Sequence, residues 1–169
     1  MAAEHPDRFS RIVVANTGLP TGDIPMPKIW WQFREAIQSA PSIDVGRFVQ
    51  GGCRRPVSDD VRAAYDAPFP DDTFCAGPRA MPGLVPTSPD DPAASANRSA
   101  WATLCASSTP MLVAFSDGDP ITGAMAPIFQ RDMLGAKGID HPVVHDAGHF
   151  LQEDAGEELA GYIVDFLGS

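Results

Sequence analysis

Apolar positions along this chain follow two patterns, and the change between them divides it. Ile12, Val13, Val14 and Ala15 form one short unbroken run, and Met111 to Phe115, entered at Pro110, forms another. Runs of this length and make-up predict strands buried on both faces of a parallel sheet. His141 to His145 predicts a third strand. Met1 to Arg8 reads as the tail of a helix closed by a Pro-Asp turn. From Pro25 to about Ala100 the spacing becomes helical, with Ile29, Trp30, Phe33 and Ile37 on one stripe. Val57 to Ala67 predicts a further helix with Ser58 as its N-cap, ended by Ala67-Pro68-Phe69-Pro70. Asp91-Pro92 predicts the start of another, running through Trp101 and Leu104. Ala126 to Leu134 predicts a helix, with Gly135 and Gly138 at its exit. Asp154 to Leu167 predicts the last helix, with Ala155, Leu159, Ile163, Phe166 and Leu167 as its apolar stripe.

The order is strand, helical insertion, strand, helix, strand, helix. It predicts an α/β chain with a parallel sheet and right-handed crossovers. Two polar turns, Ser116 to Pro120 and Asp146 to His149, then leave the sheet at the same edge. In open parallel sheets the carboxyl ends of the strands carry the chemistry.

Composition narrows the function more than the fold. With 169 residues, 44% of them hydrophobic, the chain is long enough for a real core. A net charge of −10 argues against nucleic acid and anionic membrane surfaces as partners. No stretch is long and apolar enough to span a bilayer, and Met1 to Ser10 carry no signal-peptide pattern. Cys53, Cys75 and Cys105 are odd in number, far apart and without a CxxC, so they read as reduced thiols and not as a metal site. A cytoplasmic location is expected.

His149 is the candidate general base. Gly148 frees the backbone for a tight turn, and an imidazole is the side chain best suited to take and return a proton. A carboxylate on the neighbouring turn would hold that imidazole in one tautomer and stabilise its charged form. Asp119 is the preferred partner, because Asp-Pro on the far side of the turn can point back along the strand ends. Asp117 competes with it. The bland readings are a turn-capping histidine and ordinary turn aspartates.

The segments HPDRFSRIVVANTGLPTGD, AAYDAPFPDDTF, GPRAMPGLVP, AFSDGDPITG and DAGHFLQED together make the chain resemble the carboxyl-terminal part of a haloalkane dehalogenase of the α/β-hydrolase superfamily. They run from His5 to Asp154, and the set is far more specific than any one segment. The resemblance implies a partial α/β-hydrolase fold with an inserted helical cap: residues 1–23 and 101–169 form the core and 24–100 the cap. It implies that an aspartate displaces halide from a 1-haloalkane, that His149 activates water to hydrolyse the resulting ester, and that Asp119 supports His149, with no cofactor. Asn16 stands where some relatives carry the supporting acid instead, and an amide cannot carry that charge. Trp30, then Trp31, would donate an indole N–H to the departing halide. Met81, Pro82 and Val85 fall where the family lines its substrate pocket. Cap packing is the plainer role for all five, and Trp101 reads as core.

The resemblance also lacks a part. The family's nucleophile, in a Gly-x-Asp-Trp-Gly-Gly elbow, has no counterpart here. Ser99, Ser107 and Ser108 do not stand in such an elbow. The expectation is a truncated gene product or a start site called too late, or else a chain completed by another, with the Ile12–Ala15 edge open to pairing and self-association. The alternatives are an inactive remnant serving as a binding module, and an epoxide or ester hydrolase. Epoxide chemistry would need cap tyrosines, and the chain has only Tyr65 and Tyr162.

Overall fold

Short parallel strands lie side by side in the middle of the molecule, and their carboxyl ends carry the candidate chemistry. The computed structural model describes residues 1–168. Strand β1, Ile12–Val14, lies parallel to β2, Met111–Val113, with Ile12 beside Met111 and Val14 beside Val113. Strand β3, Phe115–Ser116, lies parallel to β4, Val143–Val144. The single strand expected over Pro110–Phe115 therefore changes partner at Ala114. Successive N–H groups point to opposite edges: Ala114 N–H donates to Val14 O at 2.9 Å, and Asp117 N–H to Val144 O at 3.1 Å. β1 and β4 thus flank the 111–116 segment on its two sides.

β4 is shorter than the expected His141–His145, and Pro142 explains part of this. Proline has no N–H to give a ladder. The His141 side chain takes over: its Nδ1 accepts from Val113 N–H at 3.2 Å, and Nε2 donates to Ala136 O at 3.0 Å.

Both faces of the central segment are covered, as its unbroken apolar run requires. Met111, Val113 and Phe115 pack with Phe129 and Met133, from α6 (Ala126–Asp132) and its exit. Leu112 and Ala114 face Phe166 near the end of α7 (Leu151–Gly168). α7 starts three residues earlier than expected and has non-helical backbone at Ala155. Leu151 joins Val144 and Ala147 in the core, whereas Leu167 is exposed, so the stripe ends at Phe166.

The helical segment comprises α1 (Lys28–Ser39), α2 (Val45–Gly52), α3 (Asp59–Asp66) and α4 (Ala76–Ala80), followed by a 3-10 turn, Met81–Leu84. It has a small core of its own: Ile37, Ile43 and Cys75 against Phe48 and Phe69. Ser58 caps α3, its Oγ accepting from Val61 N–H at 3.3 Å. On α1 only Trp30 and Ile37 are buried, while Ile29 and Phe33 of the expected stripe are exposed. The next helix, α5, spans Ala94–Ala106 and does not start at Asp91. The Asp91 carboxylate instead accepts from Thr87 N–H at 2.6 Å and Ser88 N–H at 3.0 Å, holding the preceding turn. Trp101 packs on Phe129 with 5.5 Å between rings, as core. At the amino terminus a turn and a 3-10 helix, Pro6–Arg8, replace the expected helix tail. All three cysteines are free. No helix among the described residues is long and apolar enough to cross a membrane.

Candidate active site

Three strand exits converge on one polar cluster. Asn16 leaves β1 in the left-handed region (φ 36°), which asparagine tolerates better than most residues. Its Oδ1 accepts from Ser116 N–H at 2.9 Å. Its Nδ2 lies 2.8 Å from Ser116 Oγ, 2.8 Å from Gly148 O and 3.0 Å from His149 O. Ser116 Oγ–H in turn donates to Gly148 O at 2.8 Å. Asn16 therefore holds the backbone of the histidine loop and does not touch the imidazole. That amide role suits a buried position where a charge would lack a partner.

Gly148 serves a different purpose from the one its sequence position suggests. The left-handed residue of this turn is Asp146 (φ 53°). A Cβ on Gly148 would stand 2.4 Å from Gly52 O and 3.1 Å from Arg54 N. The glycine is required by close approach of another backbone.

His149 Nδ1 lies 3.1 Å from Asp119 Oδ2. The Asp119 side chain is fully shielded from solvent, and that of His149 is 25% exposed. Asp119 also accepts from Ile121 N–H at 2.8 Å and from the Thr122 hydroxyl. Burial pushes its carboxyl up, but the hydrogen bonds from His149, Thr122 and Ile121 outweigh it and bring the pKa to about 2. An ionised Asp119 keeps the proton on Nδ1 and leaves Nε2 as the basic nitrogen. Such an arrangement has the chemistry to act as a general base with a supporting acid.

Asp117, two residues earlier, points elsewhere. It pairs with His145 Nδ1 at 3.2 Å and Arg54 at 3.3 Å in an exposed ion network, and the His145 hydrogen bond is the main cause of its lowered pKa.

The chain as a whole has relatives among known proteins. No family model matches the chain. The haloalkane dehalogenase of Psychrobacter cryohalolentis is 41% identical over 167 residues, 99% of this chain and 55% of that protein. That of Mycolicibacterium paratuberculosis is 46% identical over 166 residues, 98% of this chain and 55% of its own length. Among solved structures, the haloalkane dehalogenase DpaA of Paraglaciecola agarilytica superposes with a TM-score of 0.83 at 26% identity, over 96% of this chain and 54% of that one. The chain matches part of a haloalkane dehalogenase, an α/β-hydrolase fold. It spans about half the length of the curated relatives it matches.

The other residues singled out for a haloalkane dehalogenase form a second group, on α1 and the turn packed against it. Trp30 is buried, and Trp31 meets it edge-on at 4.9 Å between ring centroids. Arg34 lies 5.6 Å over each ring. Trp31 is 44% exposed, in a shallow depression with Glu35 and Gln38. Pro82 is buried, Val85 half-buried and Met81 66% exposed. Among the described residues, the hydrogen-bond partner of the His149 ring is Asp119 and its aromatic neighbour is Phe150, not a tryptophan. A concavity of about 980 Å³ lies at the opposite, amino ends of the strands, lined by Arg11, Leu112, Pro142, Tyr162 and Phe166, and contains none of the candidates.

Sequence reasoning missed Asp154, which it took only as the start of a helix. It is a buried carboxylate, 5% exposed, that accepts three backbone N–H bonds. The signal was present in GHFLQED, where an acid follows the histidine by five residues.

Proposed function

We propose that this chain carries the hydrolytic machinery of a haloalkane dehalogenase-type enzyme, which converts a 1-haloalkane and water to a primary alcohol and halide. The observation that carries the reading is the His149–Asp119 pair at the carboxyl ends of parallel strands. In this scheme a carboxylate oxygen forms a bond to carbon while the halide leaves with the C–X electron pair. His149 Nε2 then takes a proton from water, and the hydroxide attacks the ester carbonyl. The acyl C–O bond breaks, and the alcohol leaves with a proton. Asp119 stabilises the imidazolium throughout. The scheme calls for side chains and water only. It needs an aspartate nucleophile beside Nε2, supplied by a further protein segment. Residues 24–100 act as the cap over a core of 1–23 and 101–169. Trp30 is the first halide donor and Trp31 the second, and Met81, Pro82 and Val85 line the substrate side.

Both tyrosines weigh against an epoxide substrate. Tyr65 donates to Glu153 at 2.5 Å and Tyr162 to Glu158 at 2.8 Å, so neither hydroxyl is free to protonate a substrate oxygen. Three free thiols favour a reducing compartment, and we place the chain in the cytoplasm. No strand among the described residues covers the outer edge of β1, and we assign self-association of the chain to that edge.

The test measures halide release from 1-bromobutane and 1-chlorobutane. The purified chain is assayed alone, and again after co-expression with the aspartate-bearing half of the Mycolicibacterium relative. The reading expects continuous release only in the combined sample, cut in His149→Ala to a single burst of about one halide per site. Robust release by the chain alone, or release indifferent to His149→Ala, overturns it. No release in either sample leaves the binding-module alternative as the better reading.

A further inference from the structure

The residues around His149 are gripped from a direction that the base–acid pair does not explain. Asp154 Oδ2 accepts from Gly148 N–H at 2.7 Å and from Arg54 N–H at 2.8 Å. Its Oδ1 accepts from Arg55 N–H at 2.8 Å, and Arg55 Nη1 returns a bond to Asp154 O at 2.5 Å. One carboxylate thus joins the residue immediately before the base to the connection between α2 and α3. On the other side of the base, Phe150 N–H donates to Gly52 O at 3.3 Å. A Cβ on Gly52 would stand 2.5 Å from the Phe150 ring, so the ring side chain lies directly on the glycine backbone. Further along the seam, Tyr65 of α3 donates to Glu153. Arg54 and Arg55 reach Asp146 at 3.3 and 3.5 Å.

We propose that Asp154 is a positioning residue for His149: its carboxylate locks the base loop to the α2–α3 connection, and so ties the orientation of the imidazole to the seating of the helical segment. The geometry requires a charged acceptor. Three N–H groups converge on two oxygens, and a buried carboxylate is stable only when its lone pairs are filled. Burial raises the Asp154 pKa, but the N–H groups of Arg54, Gly148 and Arg55 outweigh it and the carboxyl stays ionised. An asparagine would set an NH2 against at least one of these N–H donors. His149 then has two independent restraints. Asp119 fixes which nitrogen carries the proton, and Asp154 fixes where the loop holds the ring. The consequence for turnover rests on the reading of His149 as a base, but the restraint itself does not.

The test is made on the full 169-residue chain by NMR, which does not depend on activity. In the wild type, the ring nitrogens of His149 should report one tautomer with the proton on Nδ1. The amides of Gly148, Arg54 and Arg55 should exchange as one protected set. Asp154→Asn should retain the far-ultraviolet circular dichroism of the wild type while the His149 ring samples both tautomers. The three amides should then exchange about tenfold faster or more. The neighbouring Glu153→Gln, which removes the charge but keeps an oxygen to accept from Tyr65, should leave the ring signals unchanged. A lowered melting temperature with the His149 tautomer and Gly148 protection intact makes Asp154 merely structural and overturns the proposal. Should Asp154→Asn not fold, the wild-type exchange still decides. A Gly148 amide exchanging orders of magnitude faster than those of Arg54 and Arg55 rules out a shared lock. Failure of the halide-release test leaves these outcomes untouched, so the two readings fail separately.

Discussion

The strand-end loops and the α1 surface both carry candidate residues, but the two are built on different physics. At the strand ends Asn16, Ser116, Asp119 and Asp154 are all buried and polar, and each accepts or donates several hydrogen bonds. On α1 and its neighbouring turn the candidates are apolar, and their burial varies from Trp30 at 5% exposed to Met81 at 66%. Hydrogen bonds are directional and short, so the first group fixes distances within the chain itself. Apolar contact is non-directional, so the second group fixes only which face is turned inward. His149 and Asp119 are therefore held as a pair, whereas the tryptophans and Met81 offer a surface.

The largest expected effect tests whether the strand-end group acts as one machine. In the combined sample, His149→Gln should allow one burst of halide per site and then stop, with the alkyl-enzyme visible as added mass. Asp119→Asn should slow the hydrolytic step by about 10³–10⁴-fold, because the wrong tautomer is left in place. Asp117→Asn should stay within about threefold of wild type, since removing a rim charge leaves the base untouched. A crippling Asp117→Asn beside a mild Asp119→Asn would reverse the assignment of the acid.

Gly148→Ala comes next. The added methyl has backbone on the opposite side, where nothing flexible can give way. A loss of at least about 2–3 kcal/mol is expected by urea denaturation.

Acid sensitivity should follow the buried groups at the strands, with a definite sign. The Asp119 pKa is lowered in the folded state, so its contribution is full above its ordinary value of 3.8 and is lost as pH falls through about 2. That contribution is on the order of 2 kcal/mol. His141 acts earlier. Burial lowers its pKa and the Val113 N–H needs its bare Nδ1, so its contribution is full above 6.5 and drains away as pH falls below that. Melting temperature against pH should decline in two stages, and His141→Ala should remove the upper one at a cost of about 1–3 kcal/mol. An unchanged slope between pH 6.5 and 5 in that variant contradicts the role given to His141.

The smallest effects separate the two tryptophans. Trp30→Phe should cost about 1–2 kcal/mol of stability and, in the combined sample, weaken halide binding. Trp31→Phe should cost less than about 0.5 kcal/mol, as an exposed position does. Equal halide effects from both would break the ranking of Trp30 over Trp31.

Much of this molecule could be read from local chemistry. Ser58 before an acidic helix start caps that helix, because the capping bond spans three residues and needs nothing else. Asp91-Pro92 carried the same kind of signal, yet its carboxylate satisfied the turn behind it. Asp119 was preferred over Asp117 on turn geometry, and the structure turns Asp119 toward His149 and Asp117 toward Arg54 and His145. The ends of β4 and α7 do not follow local chemistry, since Pro142 moves a ladder bond onto the His141 side chain and Leu151 is drawn into the core.

What the sequence alone determined is the order of strands and helices, the Gly-His turn and the neighbouring acidic turn. These follow from apolar periodicity and turn chemistry, which act over a few residues. Only the tertiary structure decided why Gly148 is a glycine, what Asn16 binds and what Asp154 is for. Each depends on backbone brought from 96 to 132 positions away, Gly52 against Gly148, Arg54 against Asp154 and Asn16 against Gly148. A buried carboxylate or amide reveals its purpose only through the donors that surround it, and no local pattern records which distant N–H groups those will be.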